Sequence, residues 1–208
     1  MRRILTAAVL TLLATPLAAQ SGGAGTPPEG WTVRADGKAE QNNVKVVPMG
    51  EGLHVTLGPA IILYQEATRD SGPFHTLASF TQSKPSKHPE GYGLFFGGKE
   101  LGSEGQSYTY FLVRQDGSYL VKRRDGAKTS DVSKGWTAHP AVKKPDGKGS
   151  ATNLLEVDNK VDPTKVTFKV NGQDVYTADA GGIQVDGIVG IRMNHNLDVH
   201  VEGFDVHR

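Results

Sequence analysis

Residues 108–123 read YTYFLVRQDGSYLVKR, and this stretch decides the fold class. Two runs rich in aromatic and β-branched residues, which favour strands, flank the pair Asp116-Gly117. An Asp-Gly pair between two such runs is typical of a tight hairpin turn, because the turn needs residues that accept positive φ. The stretch therefore predicts an antiparallel hairpin with a two-residue turn, in which Gln115 lies opposite Ser118.

The predicted register sorts the side chains of this hairpin onto two faces, because alternate residues of a strand point to opposite sides of a sheet. Phe111, Val113 and Leu120 form the predicted core face. The other face carries Tyr108, Tyr110, Leu112, Arg114, Tyr119, Val121 and Arg123. Aromatic rings stack on sugar faces, and arginine donates forked hydrogen bonds to hydroxyls or carboxylates. This face is a candidate ligand-binding surface, with cross-strand packing on a sheet surface as the alternative.

Short β-type runs separated by Gly, Asp, Asn and Pro continue outward along the chain. The predicted strands are 44–47, 52–57, 60–65, 74–82, 92–97, 107–115, 118–124, 153–159, 164–170, 173–178, 187–193 and 197–206. Asn171-Gly172 predicts a second two-residue hairpin turn, with Val175 on the core face and Tyr176 on the opposite one. Many short strands without a long helical period predict an all-β domain, a sandwich or a barrel. Of these we expect an antiparallel jelly-roll sandwich of two sheets.

The N-terminal residues predict export. Two arginines precede an apolar stretch at 4–13 that is too short to cross a bilayer, and small residues follow it up to Ala19. We expect a cleaved signal peptide over 1–19, a flexible lead-in over 20–30 and a single folded domain over 31–208. The mature protein is then expected in the periplasm or outside the cell.

Composition excludes several classes of function. The 208 residues contain no cysteine, so a disulfide, a thiolate metal site and a cysteine nucleophile are excluded. Loss of residues 1–19 removes two of the 23 basic residues and none of the 22 acidic ones, which is not the balance of a nucleic-acid-binding protein. No second apolar run is long enough for a membrane span. The lysine- and arginine-rich stretch 122–148 is either a solvated loop surface or a patch for an anionic ligand such as an acidic polysaccharide.

Six short pieces follow one another along the chain. They are YGLFFG at 92–97, YTYFLVR at 108–114, NLLEV at 153–157, VTFKVNG at 166–172, GIVGIR at 187–192 and VEGFDV at 201–206. This order, over the region 70–208, resembles the concanavalin A-like lectin/glucanase superfamily. It is most similar to the laminin-G-like domains of exported bacterial proteins, including the 3-keto-disaccharide hydrolase-like group. The resemblance implies two curved antiparallel sheets, with glycans bound on the concave sheet or on its rim loops.

Glu156 and Asp158 are candidate catalytic acids, because residues two apart on a strand share one face. In the superfamily that the chain resembles, glucanases use a Glu-x-Asp-x-x-Glu pattern on one strand for catalysis. Here Val161 stands where the second glutamate would be. Without that acid the resemblance implies no catalysis at this strand, and the two carboxylates are expected on a solvated sheet surface.

Asn194, His195 and Asn196 join the last two predicted strands. Three polar side chains in a loop at the end of a sheet suit hydrogen bonds to sugar hydroxyls, and His195 suits an acid or base role. The alternative is ordinary turn chemistry, since asparagine tolerates positive φ.

The sequence predicts no metal site from spacing. His200 and His207 belong to no zinc-binding motif. Calcium is implied only by the resemblance, because the turns at Asp116, Asp158 and Asp162 do not form a recognisable calcium loop. Trp31 and Trp136 are expected to pack in the core or at its rim.

The function expected from these observations is an exported, non-catalytic, lectin-like module that binds a glycan or glycoconjugate and needs no cofactor. The predicted ligand-binding residues are Tyr108, Tyr110, Arg114, Tyr119, Arg123, Asn194, His195 and Asn196. Two alternatives stay open, because one fold supports many functions. One is a glycoside hydrolase or related sugar-cleaving enzyme of the same fold. The other is a structural or adhesion protein with a protein partner, for which an exposed apolar patch would be the sign.

Overall fold

The computed structural model describes residues 27–36, 43–69 and 71–208. The predicted signal peptide, 1–19, and the lead-in up to residue 26 lie outside these ranges. Within them, no helix combines the length and the apolar character that crossing a bilayer requires.

The described residues form fifteen strands and two short 3-10 turns, at Glu66–Thr68 and Ala180–Gly182. The strands are β1 (Thr32–Ala35), β2 (Val44–Met49), β3 (Gly52–Leu57), β4 (Ile61–Tyr64), β5 (His75–Gln82), β6 (Gly91–Lys99), β7 (Ser107–Arg114), β8 (Ser118–Asp125), β9 (Lys128–Asp131), β10 (Thr137–Ala138), β11 (Ala151–Asp158), β12 (Lys165–Val170), β13 (Gln173–Asp179), β14 (Ile188–Met193) and β15 (Leu197–His207).

The strands pair into two antiparallel sheets, which confirms the predicted sandwich. The first sheet has the order β1-β4-β14-β6-β7-β8-β10, and β9 also pairs with β8. The second sheet has the order β13-β12-β11-β5-β15-β3-β2. Strands that are neighbours in a sheet are often distant in the chain, so chain segments cross between the two layers.

The main hydrophobic core lies between the sheets, because it draws on residues from both. Leu94, Phe111 and Val121 of the first sheet and Phe80 and Phe168 of the second are almost completely buried in it. A second, smaller cluster contains only residues of the first sheet together with Leu101, packed against Trp136. It therefore occupies the side of the first sheet that faces away from the second, which we call the outer face of the first sheet.

All twelve predicted strands are present, and three were missed. The missed strands are β1, β9 and β10, which have four, four and two residues. Each is short and polar or lies at the margin of the first sheet, where no alternating apolar run is required. The alternation predicted for β15 is confirmed, because Leu197, Val199 and Val201 are buried in the main core.

The predicted register of the first hairpin is wrong by one residue. Arg114, rather than Gln115, lies opposite Ser118, so the turn contains three residues. A two-residue type I′ turn needs positive φ at both central positions, whereas only Gly117, at 87°, has it here and Asp116 does not. This is the loop type in which a type I turn is followed by a left-handed residue.

The shift turns every side chain of β8 to the face opposite the predicted one. Tyr119 and Val121 pack in the main core beside Phe111, although they were predicted on the ligand-binding face. Arg123 points to the same side as these two residues, because it lies four positions after Tyr119 and two after Val121 on the same strand. Leu120, predicted for the core, lies on the outer face opposite Leu112.

The second hairpin has the predicted two-residue turn. Asn171 and Gly172 both have positive φ, at 51° and 77°, and Val170 lies opposite Gln173. A bulge then shifts the pairing, so that Phe168 lies opposite Tyr176. Tyr176 therefore packs against the core ring of Phe168, with ring centroids 5.8 Å apart, and the prediction that Tyr176 lies on the face opposite the core is wrong.

Candidate functional site

Four strands bring polar and aromatic side chains together on the outer face of the first sheet. Strand β7 contributes Tyr108, Tyr110, Leu112 and Arg114. Strand β8 contributes Leu120, Lys122 and Arg124, which lie opposite Leu112, Tyr110 and Tyr108. Strand β14 adds Arg192, and the end of β1 adds Arg34 and Asp36. This arrangement differs from the predicted face by the loss of Tyr119 and Arg123 and by the gain of Lys122 and Arg124.

A single carboxylate joins two arginines from different strands. Asp36 Oδ2 lies 2.6 Å from Arg192 Nη2 and 3.0 Å from Arg124 Nη1. The Arg192 Nη1 donates to the Tyr108 hydroxyl over 3.3 Å, and its guanidinium carbon lies 5.8 Å from the centre of the Tyr110 ring. Only 6% of Arg192 is exposed. A buried arginine held by a carboxylate, a phenol and a ring is a fixed positive charge on this face.

Burial alone would raise the pKa of the Asp36 carboxyl, because it disfavours the charged form. The hydrogen bonds and positive charges of Arg192 and Arg124 outweigh this effect and lower that pKa below its ordinary value. Asp36 is therefore ionised throughout the neutral range and serves as the anion that both arginines share.

The predicted tyrosines are buried rather than exposed to a ligand, and Tyr119 lies on the core side of β8. Tyr108 is fully buried, and Tyr110 and Tyr119 are 8% and 6% exposed. Burial raises the pKa of all three phenols, so they remain neutral donors and acceptors. The parts of the outer face that reach solvent are charged instead: the side chains of Lys122 and Arg124 are partly exposed, at 27% and 15%.

Positive charge exceeds negative charge in this region. We call the group formed by Arg34, Asp36, Lys122, Arg124, Asp131 and Arg192 the outer-face cluster. The cluster contains four cations and two carboxylates. Lys122 lies 3.2 Å from Asp131, and Asp36 forms ion pairs with both Arg124 and Arg192. Arg34 Nη2 donates to the Ser103 carbonyl over 2.8 Å.

Two N–H groups of the outer-face cluster are buried without an acceptor. They are Nη1 of Arg34 and Nε of Arg192. Arg34 and Arg192 flank Ile62 on its two neighbouring strands, so the two groups belong to one surface. Buried polar groups are normally hydrogen-bonded, and an exception often marks a place where a ligand or water binds.

Arg114, the remaining predicted arginine, is engaged in its own hairpin. Its Nη2 lies 2.7 Å from Asp116 and its Nε donates to Ser118 Oγ over 2.9 Å. Its guanidinium carbon lies 4.2 Å from the ring centre of Trp136. Arg114 therefore fixes the hairpin end to Trp136, which packs at the rim as predicted.

The predicted loop 194–196 makes turn bonds and also borders a cavity. The Asn194 amide donates to the Gly91 carbonyl, and Asn196 has a φ of 52°. Asn196 lines a cavity of about 190 Å³ together with Lys84, Ser86 and Asp198. Asn194 and Asn196 thus stabilise the turn, Asn196 also lines this cavity, and His195 is exposed.

The Glu156 and Asp158 side chains lie on the face of the second sheet that points away from the first. Glu156 Oε2 lies 3.2 Å from His75 Nε2. Asp158 Oδ1 accepts from the amides of Lys160 and Val161, so it stabilises the turn that follows β11. Val161, the residue in place of a third acid, is 87% exposed.

The aspartates considered for calcium do not share a site. Each accepts hydrogen bonds within its own turn: Asp116 from Ser118, Asp158 from Lys160 and Asp162 from Thr164. Among the described residues, no group of three or more His, Asp or Glu is arranged to hold a metal ion. These three aspartates therefore act separately, each in its own turn.

The basic stretch 122–148 is divided by the fold rather than gathered into one patch. Lys122 and Arg124 belong to the outer-face cluster, while Arg123 points to the other side of β8. The remaining lysines of the stretch are exposed: Lys128, Lys134, Lys143, Lys144 and Lys148.

Sequence reasoning missed Asp36, Arg34 and Arg192. A signal existed for Arg192, because it is the one charged residue in the apolar run of β14. No local signal marks Asp36 or Arg34, since they reach the outer face only through the pairing of β1 with β4.

Comparisons with known proteins find structural likeness without sequence likeness. No family model and no curated protein matches the chain. Among solved structures, the carbohydrate binding module CBM66 from Bacillus subtilis superposes with a TM-score of 0.61 at 11% identity, over 86% of this chain and 96% of that one. The legume lectin-like domain from Entamoeba histolytica gives 0.54 at 13%, over 86% and 90%.

A third structure, the potassium-bound carbohydrate recognition domain of Emp46p, gives a TM-score of 0.53 at 12% identity, over 86% of this chain and 88% of that one. Identities this low establish the fold and not the activity. The two antiparallel sheets, their connections and these superpositions show that the chain has the concanavalin A-like β-sandwich fold.

Proposed function

We propose that the protein is a lectin-like module that binds an anionic glycan on the outer face of the first sheet. The likeness to solved carbohydrate-binding and lectin-like domains supports the glycan as the class of ligand. The observation that carries the choice of site is the outer-face cluster, with its excess of positive charge and its two buried N–H groups that lack acceptors.

The chemistry of the cluster favours a carboxylate or sulfate over a neutral hydroxyl. A guanidinium presents a planar fork of donors that matches the two oxygens of an acid group. Asp36 already satisfies one side of Arg192 and of Arg124, so Arg34 and Lys122 are the cations of the cluster that do not share this carboxylate. The buried rings of Tyr108 and Tyr110 give these cations a surface of low polarity, in which charge pairing is stronger than in bulk water.

Arg34→Ala and Lys122→Ala test the site, because both leave the Asp36–Arg192 pair intact. Calorimetric titration of the mature protein with oligogalacturonate is expected to show binding, weakened about tenfold or more by either substitution. Neutral oligosaccharides of equal length are expected to bind more weakly. Chelation of calcium is expected to change nothing, since the carboxylates of Asp116, Asp158 and Asp162 are engaged in their own turns.

Arg123→Ala is the matched control, because it removes the same charge from the same strand on the opposite side. Equal weakening by Arg123→Ala would mean non-specific charge attraction and would contradict the proposed site. Tighter binding of neutral oligosaccharides would contradict the anionic ligand but not the lectin-like function. Recovery of shortened oligosaccharides would replace the lectin-like function with that of a glycoside hydrolase.

The location is part of the proposal. A signal peptide over 1–19 would deliver the domain to the periplasm or the exterior, where acidic polysaccharides occur at cell surfaces. A protein partner finds less support, because the large apolar side chains exposed among the described residues are Met49 and Val161 alone.

A further inference from the structure

Two pairs of histidines lie directly across from each other on the outward side of the second sheet. His54 of β3 is opposite His200 of β15, and His75 of β5 is opposite His207 of β15. The rings of the first pair are 6.2 Å apart between centroids and those of the second 5.6 Å, with planes inclined by 28° and 12°. Spacing along the sequence does not show these pairs, because each joins residues of different strands.

Each histidine has a carboxylate within 3.5 Å of its Nε2 atom. His75 Nε2 lies 3.2 Å from Glu156 and His207 Nε2 lies 3.5 Å from Asp205. The other pair has the same arrangement, with His54 3.1 Å from Asp198 and His200 3.0 Å from Glu202. A carboxylate on one ring nitrogen fixes the ring and leaves the other nitrogen as a lone-pair ligand, as in many metal sites.

The two pairs differ in the access to their Nδ1 atoms. Those of His54 and His200 are buried and have no partner. The Nδ1 atoms of His75 and His207 do not belong to the buried atoms that lack a partner, and their side chains are 25% and 49% exposed. His75 and His207 also line an open cavity of about 460 Å³ together with Asp158, Lys160 and Val161.

We infer that His75 and His207 bind a divalent transition-metal ion through their Nδ1 atoms. Cu²⁺, Ni²⁺ and Zn²⁺ accept imidazole ligands at about 2.0–2.1 Å. Two such bonds to one ion place the nitrogens roughly 3 Å apart, and the ring centroids lie 5.6 Å apart. Three carboxylates lie at or beside this cavity, those of Glu156, Asp158 and Asp205, so the local charge favours a cation. Lys160 is the one cation that lines the cavity, and its Nζ donates to the Arg208 carbonyl over 2.6 Å.

The site has two protein ligands, since no third His, Asp or Glu of the described residues completes a metal-binding group. Water fills the remaining positions, so the affinity is modest and follows the usual order of divalent ions, with Cu²⁺ bound more tightly than Ni²⁺. Such an ion would connect β5 to β15 beyond the backbone hydrogen bonds that already join them.

Titration of the untagged mature protein with Cu²⁺, and separately with Ni²⁺, tests the site by calorimetry. One equivalent is expected to bind, and His75→Gln and His207→Gln are each expected to weaken binding at least tenfold. His200→Gln is the matched control, because it removes a histidine of the same strand whose Nδ1 is buried, and it should leave binding unchanged. The melting temperature of each variant without metal checks that it is folded.

Absence of binding at millimolar metal would overturn the inference. Binding that survives His75→Gln and His207→Gln together, or that is lost in His200→Gln, would assign the ion to another place and would equally overturn it. None of these outcomes bears on the glycan-binding proposal, whose residues lie on the other sheet.

Discussion

Arg192 shows at the scale of one residue how the first sheet tolerates charge in an apolar strand. Ionised groups are costly to bury unless they are paired and hydrogen-bonded. Arg192 meets this condition through Asp36 and Tyr108, and Arg124 shares the same carboxylate. The pair is therefore sensitive to the loss of one partner, which leaves an uncompensated charge under the outer face.

Asp36→Ala is expected to lower the free energy of unfolding by about 3 kcal/mol at pH 7, because it leaves Arg192 buried without its carboxylate. Arg192→Met in the same chain should restore much of the loss, since an apolar side chain of similar volume replaces the unpaired charge. Urea unfolding of the single and double variants measures both values.

The Asp36–Arg192 pair makes the free energy of unfolding depend on pH. The lowered pKa of Asp36 means that its contribution is complete above the unfolded-state value of about 3.9 and is lost as pH falls through the lower folded-state value. The difference between parent and Asp36→Ala should therefore shrink in acid. A difference that stays constant from pH 7 to pH 2.5 would contradict this account.

At the scale of elements, two glycine-containing turns behave differently. Asn171 adopts a positive φ, and its turn has two residues. Asp116 does not adopt a positive φ, and its turn has three residues because Gln115 belongs to it. Gln115 then accepts from the Ser86 amide over 2.8 Å and donates to the Ser86 carbonyl over 2.8 Å, which ties the segment after β5 to the hairpin. These distant bonds and the core packing of β8 decide the register, and a local pattern contains neither.

The strands themselves were predictable because each buried strand repeats its apolar residues with a period of two or as a continuous run. Strands β1, β9 and β10 were not predicted, since they have few residues and little apolar character. The candidate site suffered most, because one residue of register exchanged Tyr119 and Arg123 for Lys122 and Arg124 on the outer face.

Asn171→Gly separates the turn from the contacts of the asparagine side chain. Glycine keeps the positive φ, but the side chain currently accepts from the Leu154 amide over 3.0 Å and donates to the Ala141 carbonyl over 2.8 Å and to Asn153 over 3.0 Å. We expect a loss of about 2 kcal/mol in the free energy of unfolding. Asn171→Asp keeps the acceptor but sets a carboxylate oxygen against the Ala141 carbonyl and Asn153 Oδ1, so it should destabilise at least as much as glycine. Equal stability of all three proteins would show that the turn alone matters.

At the scale of the whole molecule, both faces of the first sheet are packed while only one face of the second is. Tyr92 lies in the core between the sheets and Tyr108 in the cluster on the outer face, and both are almost completely buried. Both clusters contain residues of the first sheet, so loss of packing in either one destabilises that sheet. The domain is therefore expected to unfold as one cooperative unit.

Alkaline titration tests this cooperativity. Burial raises the pKa of Tyr92, Tyr108 and Tyr110 above the ordinary value of about 10. Their contribution to stability is complete below that value and is lost as pH rises through the folded-state values. Ultraviolet absorbance of ionised tyrosine should thus rise in a late, steep step that coincides with the loss of circular dichroism. Tyr110→Phe should reduce the height of that step, and ionisation of these rings before any loss of structure would contradict the prediction.

The position of strand β15 determines when the second sheet can form during synthesis of the chain. It lies between β5 and β3 and is the link that joins the two halves of the second sheet. Its residues, 197–207, pair with residues 53–57 and 75–82, more than a hundred positions earlier in the chain. A ribosome therefore releases most of the polypeptide before the sheet closes, and pairing over such separations is slow.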